Sequence, residues 1–219
     1  MIGTTVANRG GPMRTLNTFL AVCGLVALGA CESGTAPGTA HVRVLLTDAP
    51  SDLIERADVW VSHIYLQGGG EENDTLATSS EADTVGRVDL FNDPGNPKSY
   101  DLMTLRDGVT ADLTGTVEVD VAMYHNLRLV VDSAMVTLKD GITMEDGSST
   151  TTLFVPSGQT SGIKVQLAGP IDAEDGEEIE ILVDFDVDQN FVIQGIHGPG
   201  GIRDILFTPR LQEVHRTKQ

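Results

Sequence analysis

Three aspartates alternate late in the chain, Asp184, Asp186 and Asp188. In a regular strand they share one face, and three carboxylates held together are ligands for Ca²⁺, a hard cation that takes six to eight oxygens. The spacing echoes the start of an EF-hand loop, but Gln189 stands where that loop needs Gly and Gly195 where it needs Glu. Ile181, Val183, Phe185 and Val187 interleave with the acids, so an acidic outer face over an apolar inner face accounts for the stretch unaided. The expectation is therefore no metal and no cofactor, with these three as the Ca²⁺ candidates. His41, His63, His125, His197 and His215 are scattered without zinc-ligand spacing. Ser157-Gly158 and Ser161-Gly162 lack the preceding Gly of a nucleophile elbow. The Gly-rich run 195–201 lacks the Lys-Ser/Thr of a phosphate loop. Asp48, beside Pro50, reads as the cap of its own turn. Trp60, Tyr65, Tyr100 and Tyr124 would make a sugar platform if they surfaced together, but half-buried roles on a pleated sheet are expected. No catalytic residue is assigned. A hydrolase working with a pair of carboxylates stays open, because sequence does not show whether two acids converge across a cleft.

The other reactive group is a thiol. The chain has two cysteines, Cys23 and Cys31. Both precede the patterned region, so that region forms no internal disulfide. Residues 1–12 are polar and Gly-rich, and Met13-Arg14 looks like a second, more natural start. Arg14 supplies a short positive segment, and Leu16 with residues 19–28 an apolar run too short for the roughly 20 residues that cross a bilayer. Small residues follow. Leu28, Gly29, Ala30 and Cys31 fit each position of a lipobox, and the segment resembles a bacterial lipoprotein signal. The resemblance implies cleavage between Ala30 and Cys31 and acylation of the Cys31 sulfur and new amine. Glu32, where some lipoproteins carry a retaining aspartate, implies the outer membrane. The plain alternative is an ordinary signal peptide or a buried apolar segment. Residues 32–39 (ESGTAPGT) read as a flexible tether with a reach of roughly 25–30 Å.

From Ala40 the period becomes two: Val42, Val44 and Leu46 share a face. Strands are expected at residues 59–66, 87–91, 100–105, 117–121, 127–131, 134–138, 153–155, 163–167, 179–187 and 202–211, separated by turn signals such as Asp107-Gly108. A short helical turn is conceivable only near residues 51–57 or 122–126. The polar stretch 68–86 is too poor in apolar residues to fold on its own and reads as a disordered or binding loop. The expected organisation is a leader (1–30), a lipidated cysteine and tether (31–39), an all-β domain (40–214) and a short tail (215–219). The domain class is an antiparallel β-sandwich, immunoglobulin-like or transthyretin-like.

Six stretches in order carry a wider resemblance: LLTDAP (45–50), YDLMTLRDGVTADL (100–113), YHNLRLVVDSAMVTL (124–138), VPSGQTSGIKV (155–165), ILVDFDV (181–187) and LFTPRL (206–211). They resemble the bacterial lipoproteins grouped as domain of unknown function 4382. One departure is Ala122-Met123 before Tyr124, where the family pattern places Gly. The resemblance implies an exported β-sandwich without an assigned activity. Lys+Arg number 14 against Asp+Glu 32, a net charge of −18, which repels phosphate backbones and excludes nucleic-acid binding. The expected function is a lipid-anchored cell-envelope module, with the membrane as one partner through Cys31 and a glycan or protein ligand as the other. The alternatives are the carboxylate hydrolase and a Ca²⁺-stabilised adhesion module.

Overall fold

The structure is a computed structural model that describes residues 38–49, 51–68, 86–155, 161–195 and 201–219. The lipobox residues Leu28, Gly29, Ala30 and Cys31, most of the tether, Pro50, most of the polar loop, Ser157-Gly158 and His197 lie outside them. Fourteen strands follow one another: β1 (Thr39–Thr47), β2 (Ile54–Gly68), β3 (Arg87–Asn92), β4 (Lys98–Asp101), β5 (Ala111–Asp112), β6 (Val117–Asp120), β7 (Ala122–Leu138), β8 (Thr150–Leu153), β9 (Ile163–Gln166), β10 (Ile171–Ala173), β11 (Glu178–Asp184), β12 (Phe191–Gln194), β13 (Asp204–Phe207) and β14 (Leu211–Lys218). A 3₁₀ turn occupies Leu102–Thr104 and one short helix, α1, Val187–Asn190. Neither lies where a helical turn was conceivable: residues 54–57 open β2, and 122–126 open β7.

The chain is all-β, built on one curled sheet of order β3-β2-β7-β9-β14-β11-β1-β5, with β12 and β13 forming a separate two-stranded ribbon. The long strands β2 and β7 pair along nearly their whole length. The free side of β2 takes β4 and then β3. The free side of β7 takes β10, β9 and β8 on successive stretches. β9 is the seam, pairing Arg128 and Leu129 of β7 on one side and Leu211 and Gln212 of β14 on the other. Both halves of the sheet contribute to a single core.

The expectation of an antiparallel sheet is corrected. β1 runs parallel to β11, and β9 parallel to β14, so the sheet is mixed. Alternation reads the same in either direction, whereas parallel neighbours need a long crossover. Here that crossover is most of the domain, since β1 and β11 lie at opposite ends of the sequence. Their apolar columns are in register: Val42 beside Ile179, Val44 beside Ile181 and Leu46 beside Val183, all buried. Burial of each such side chain stabilises the fold by about 1.5–3 kcal/mol.

Other boundaries move for local reasons. Asp132-Ser133 looks like a break between two strands, yet β7 runs through it. Ser62 Oγ donates to Asp132 Oδ1 at 2.7 Å, and the β2–β7 register shifts beside it, so the polar pair sits at a bulge. The tail is not a tail: His215, Arg216, Thr217 and Lys218 belong to β14 and pair with β11. The first strand starts one residue earlier than expected, because Thr39 already pairs with Asp120.

Candidate functional site

β1 and β11 end side by side at Thr47 and Asp184. There the chain is locked by residues from three distant segments. The Thr47 carbonyl accepts from Phe185 N–H at 3.1 Å. Asp48 N–H and Thr47 Oγ1 both donate to the Leu105 carbonyl, each at 2.9 Å. Asp48 then turns inward, 7% exposed, and its Oδ1 accepts from Val187 N–H at 2.8 Å. This corrects the reading of Asp48 as the cap of its own turn alone: the carboxylate bridges to a segment 139 residues away.

The three alternating aspartates separate here. Only Asp184 is in the strand. Asp186 adopts the left-handed region, φ 48°, and caps α1, its Oδ1 accepting from Gln189 N–H at 3.1 Å. Asp188 is exposed in the first turn of α1 and lines a different groove, with Asp52, Leu53 and Val192. The one-face expectation for Asp184, Asp186 and Asp188 fails because the period changes after Asp184: a strand period of two does not survive the turn into a helix. Among the described residues no three His, Cys, Asp or Glu side chains are placed to hold a metal ion.

Asn190 is the hub of the corner and is fully buried. Its side-chain amide nitrogen donates to the carbonyls of Asp186 at 3.0 Å and Arg210 at 2.8 Å, and also to that of Phe185. Its Oδ1 accepts from Arg210 N–H, and its backbone carbonyl accepts from Thr208 N–H at 2.8 Å. Beneath it Phe185, Phe191 and Phe207 pack with ring centroids 5.2–6.0 Å apart. The β13–β14 break at 208–210 is thus held by an asparagine acting as backbone surrogate, which divides the expected strand 202–211 into two.

On this support lies a groove of about 460 Å³ lined by Gln166, Asp186, Gln189, Arg210, Leu211 and Gln212. Gln189 Nε2 donates to Asp186 Oδ2, and Gln212 Nε2 to Asp184 Oδ2 at 3.4 Å. The Arg210 side chain is exposed. The lining therefore offers amide donors and acceptors, one carboxylate and one guanidinium fork, suited to a polar, hydrogen-bonding ligand. Behind it, burial pushes the Asp48 carboxyl up to about 7, with the carboxylates of Asp184 and Asp186 adding to the rise and the N–H groups of Val187 and Ala49 opposing it. Asp48 Oδ2 is buried without a partner.

A second polar cluster lies on β2 and β3. His63 Nε2 is 2.7 Å from Asp89 Oδ1, and Arg87 bonds Asp89 at 3.0 Å while stacking 3.9 Å over Tyr65. Burial alone would raise the Asp89 carboxyl, but hydrogen bonds from His63, Asn92 and Arg87 hold it below its usual range. These groups satisfy one another. His41 is half-buried and His125 and His215 are exposed, and the histidines make no shared site among the described residues. Tyr65 and Tyr124 are buried and Trp60 and Tyr100 half-buried, so the four aromatics do not form a platform.

Gln166, Gln189, Asn190, Arg210 and Gln212 were not legible as a site, because no spacing rule links residues from β9, α1 and β14. The one available signal was the resemblance itself: LLTDAP, YDLMTLRDGVTADL, ILVDFDV and LFTPRL all contribute to this corner. No curated protein and no solved structure matches the chain. A family model described as a domain of unknown function, DUF4382, matches residues 39–209, most of the chain and the corner just described up to but not including Arg210, and the chain belongs to that family.

Proposed function

We propose that this chain is a lipid-anchored module of the bacterial cell envelope that binds a polar ligand, a glycan or a protein segment, in the groove of Gln166, Asp186, Gln189, Arg210 and Gln212. Anchoring rests on Leu28-Gly29-Ala30-Cys31, with the lipid on Cys31 holding the protein to the outer membrane. Residues 1–30 are then the leader. The sheet closes as a sandwich, immunoglobulin-like or transthyretin-like in its wrapping, with the stretch 68–86 as an accessory loop. The observation that carries the binding reading is the support of the groove. A buried asparagine and a triad of phenylalanines hold its floor, and binding to a preorganised surface loses less entropy than binding to a mobile one.

The test is a binding screen of the mature protein against envelope glycans and envelope proteins. A ligand whose affinity falls about tenfold or more in Arg210→Ala and Gln212→Ala supports the reading, in line with loss of a charge-assisted hydrogen bond. No ligand, together with a hydrolytic activity, overturns it.

One observation favours the hydrolase alternative. Asp48 is raised to about 7 beside Asp184 and Asp186, and a carboxyl that keeps its proton near neutrality is suited to a general-acid role. That reading requires Asp48→Asn to abolish a hydrolytic activity of the native protein. The Ca²⁺-stabilised alternative requires the melting temperature to rise in millimolar Ca²⁺ and fall in EDTA.

A further inference from the structure

The described chain begins at Gly38, whose carbonyl accepts from Val121 N–H at 3.0 Å. Thr39 pairs at once with Asp120, so the chain enters the domain where β6 gives way to β7. At this entry two apolar side chains at alternate positions are open to solvent, Val121 at 43% and Met123 at 49%. The backbone around them is paired: Val121 N–H bonds Gly38, Met123 pairs with Asp172 of β10, and Tyr124 behind it is buried, its hydroxyl donating to the Asp120 carbonyl at 2.9 Å. Isolated exposed apolar residues are ordinary. What distinguishes this pair is the covalent chain in front of it. Seven residue steps separate Gly38 from Cys31, a reach of at most about 25 Å.

We infer that Val121 and Met123 seat the domain on a zwitterionic bilayer surface, entering the boundary between headgroups and acyl chains beside the anchored cysteine. The inference rests on the lipid-anchor reading of Cys31. A short link keeps the local concentration of bilayer high, so two apolar side chains suffice where they would not hold a free protein. The surrounding charge selects the lipid. Asp120 is exposed, Asp172 lies opposite Met123, and Asp175 accepts from Thr39 N–H at 3.1 Å. Arg87 lines the same groove as Asp120 and Met123 but is paired with Asp89, so these carboxylates repel anionic headgroups over a Debye length and leave zwitterionic ones unopposed.

The test uses the mature, lipidated protein in vesicles of phosphatidylcholine and phosphatidylethanolamine. With Cys23 removed and Cys31 acylated, Met123→Cys provides a single thiol for an environment-sensitive fluorophore. Val121→Cys is a second reporter, and Asp188→Cys on α1 a control. Brominated lipid should quench the probes at 121 and 123 at least threefold more than the probe at 188. Replacing a third of the lipid by phosphatidylglycerol should reduce the excess. Protein that floats with the vesicles but is quenched equally at 121, 123 and 188 overturns the seat and leaves the anchor standing. Protein that does not float overturns the anchor, and the seat with it.

Discussion

Asp48 ties two ends of the sequence together with a carboxyl that ionises late, and this has a signed consequence. Below about pH 4 the group is protonated in the folded and unfolded chains alike. Between there and the folded value of about 7, only the unfolded chain releases the proton. The stability that Asp48 contributes is therefore complete at low pH and is lost as pH rises through 7, by up to about 1.4 kcal/mol per unit. Asp48→Asn keeps an oxygen for Val187 N–H and has no proton to lose. Relative to the native protein, the variant should gain roughly 2–3 kcal/mol between pH 4.5 and pH 8. Urea melts at the two pH values measure this, and an unchanged difference would show that the carboxyl ionises normally.

At the scale of elements the instructive case is β14. Its last residues look like a polar tail, because a half-exposed edge of charged and polar side chains carries no apolar period. Their role is made by the backbone and by Arg216, whose guanidinium donates to the Pro170 carbonyl at 2.7 Å, the Gly169 carbonyl at 3.0 Å and Glu213 at 2.7 Å. A chain ending at Val214 should lose about 3–5 kcal/mol, from several ladder bonds and the stranded carbonyls, seen as a fall in the thermal midpoint. A fall within error would restore the tail. The strands β1, β2, β3 and β9 were legible because each buries an alternating or continuous apolar set. Direction was not, since parallel and antiparallel pairs share that pattern. The site was legible only in its parts. Asp48 and Asp186 stood out as residues, but their meeting depends on Asn190, a small amide whose sequence context is unremarkable. Asp184, Asp186 and Asp188 gave a false period, because capping preference turned the chain where alternation would have carried it straight.

For the whole molecule, charge sets the behaviour, and the proposed anchor can be tested at the same scale. The balance of −18 disfavours self-association at neutral pH. Cys31→Ala should leave an unlipidated, uncleaved precursor, visible as a slower band on a denaturing gel that takes up no labelled fatty acid. Normal processing of that variant would overturn the anchor. If Cys31 is fastened, the geometry of β1 fixes a working height. The strand has nine residues, so it spans about 30 Å. Its first residue is the point of entry from the link, and its last lies under the corner that carries the groove. The domain is thus a post with its foot and its grip at opposite ends of one strand. If the foot is seated on the lipid as inferred above, the groove lies at most about 30 Å above it whatever the length of the link; without the seat, each added residue of link would raise that ceiling by no more than about 3.6 Å.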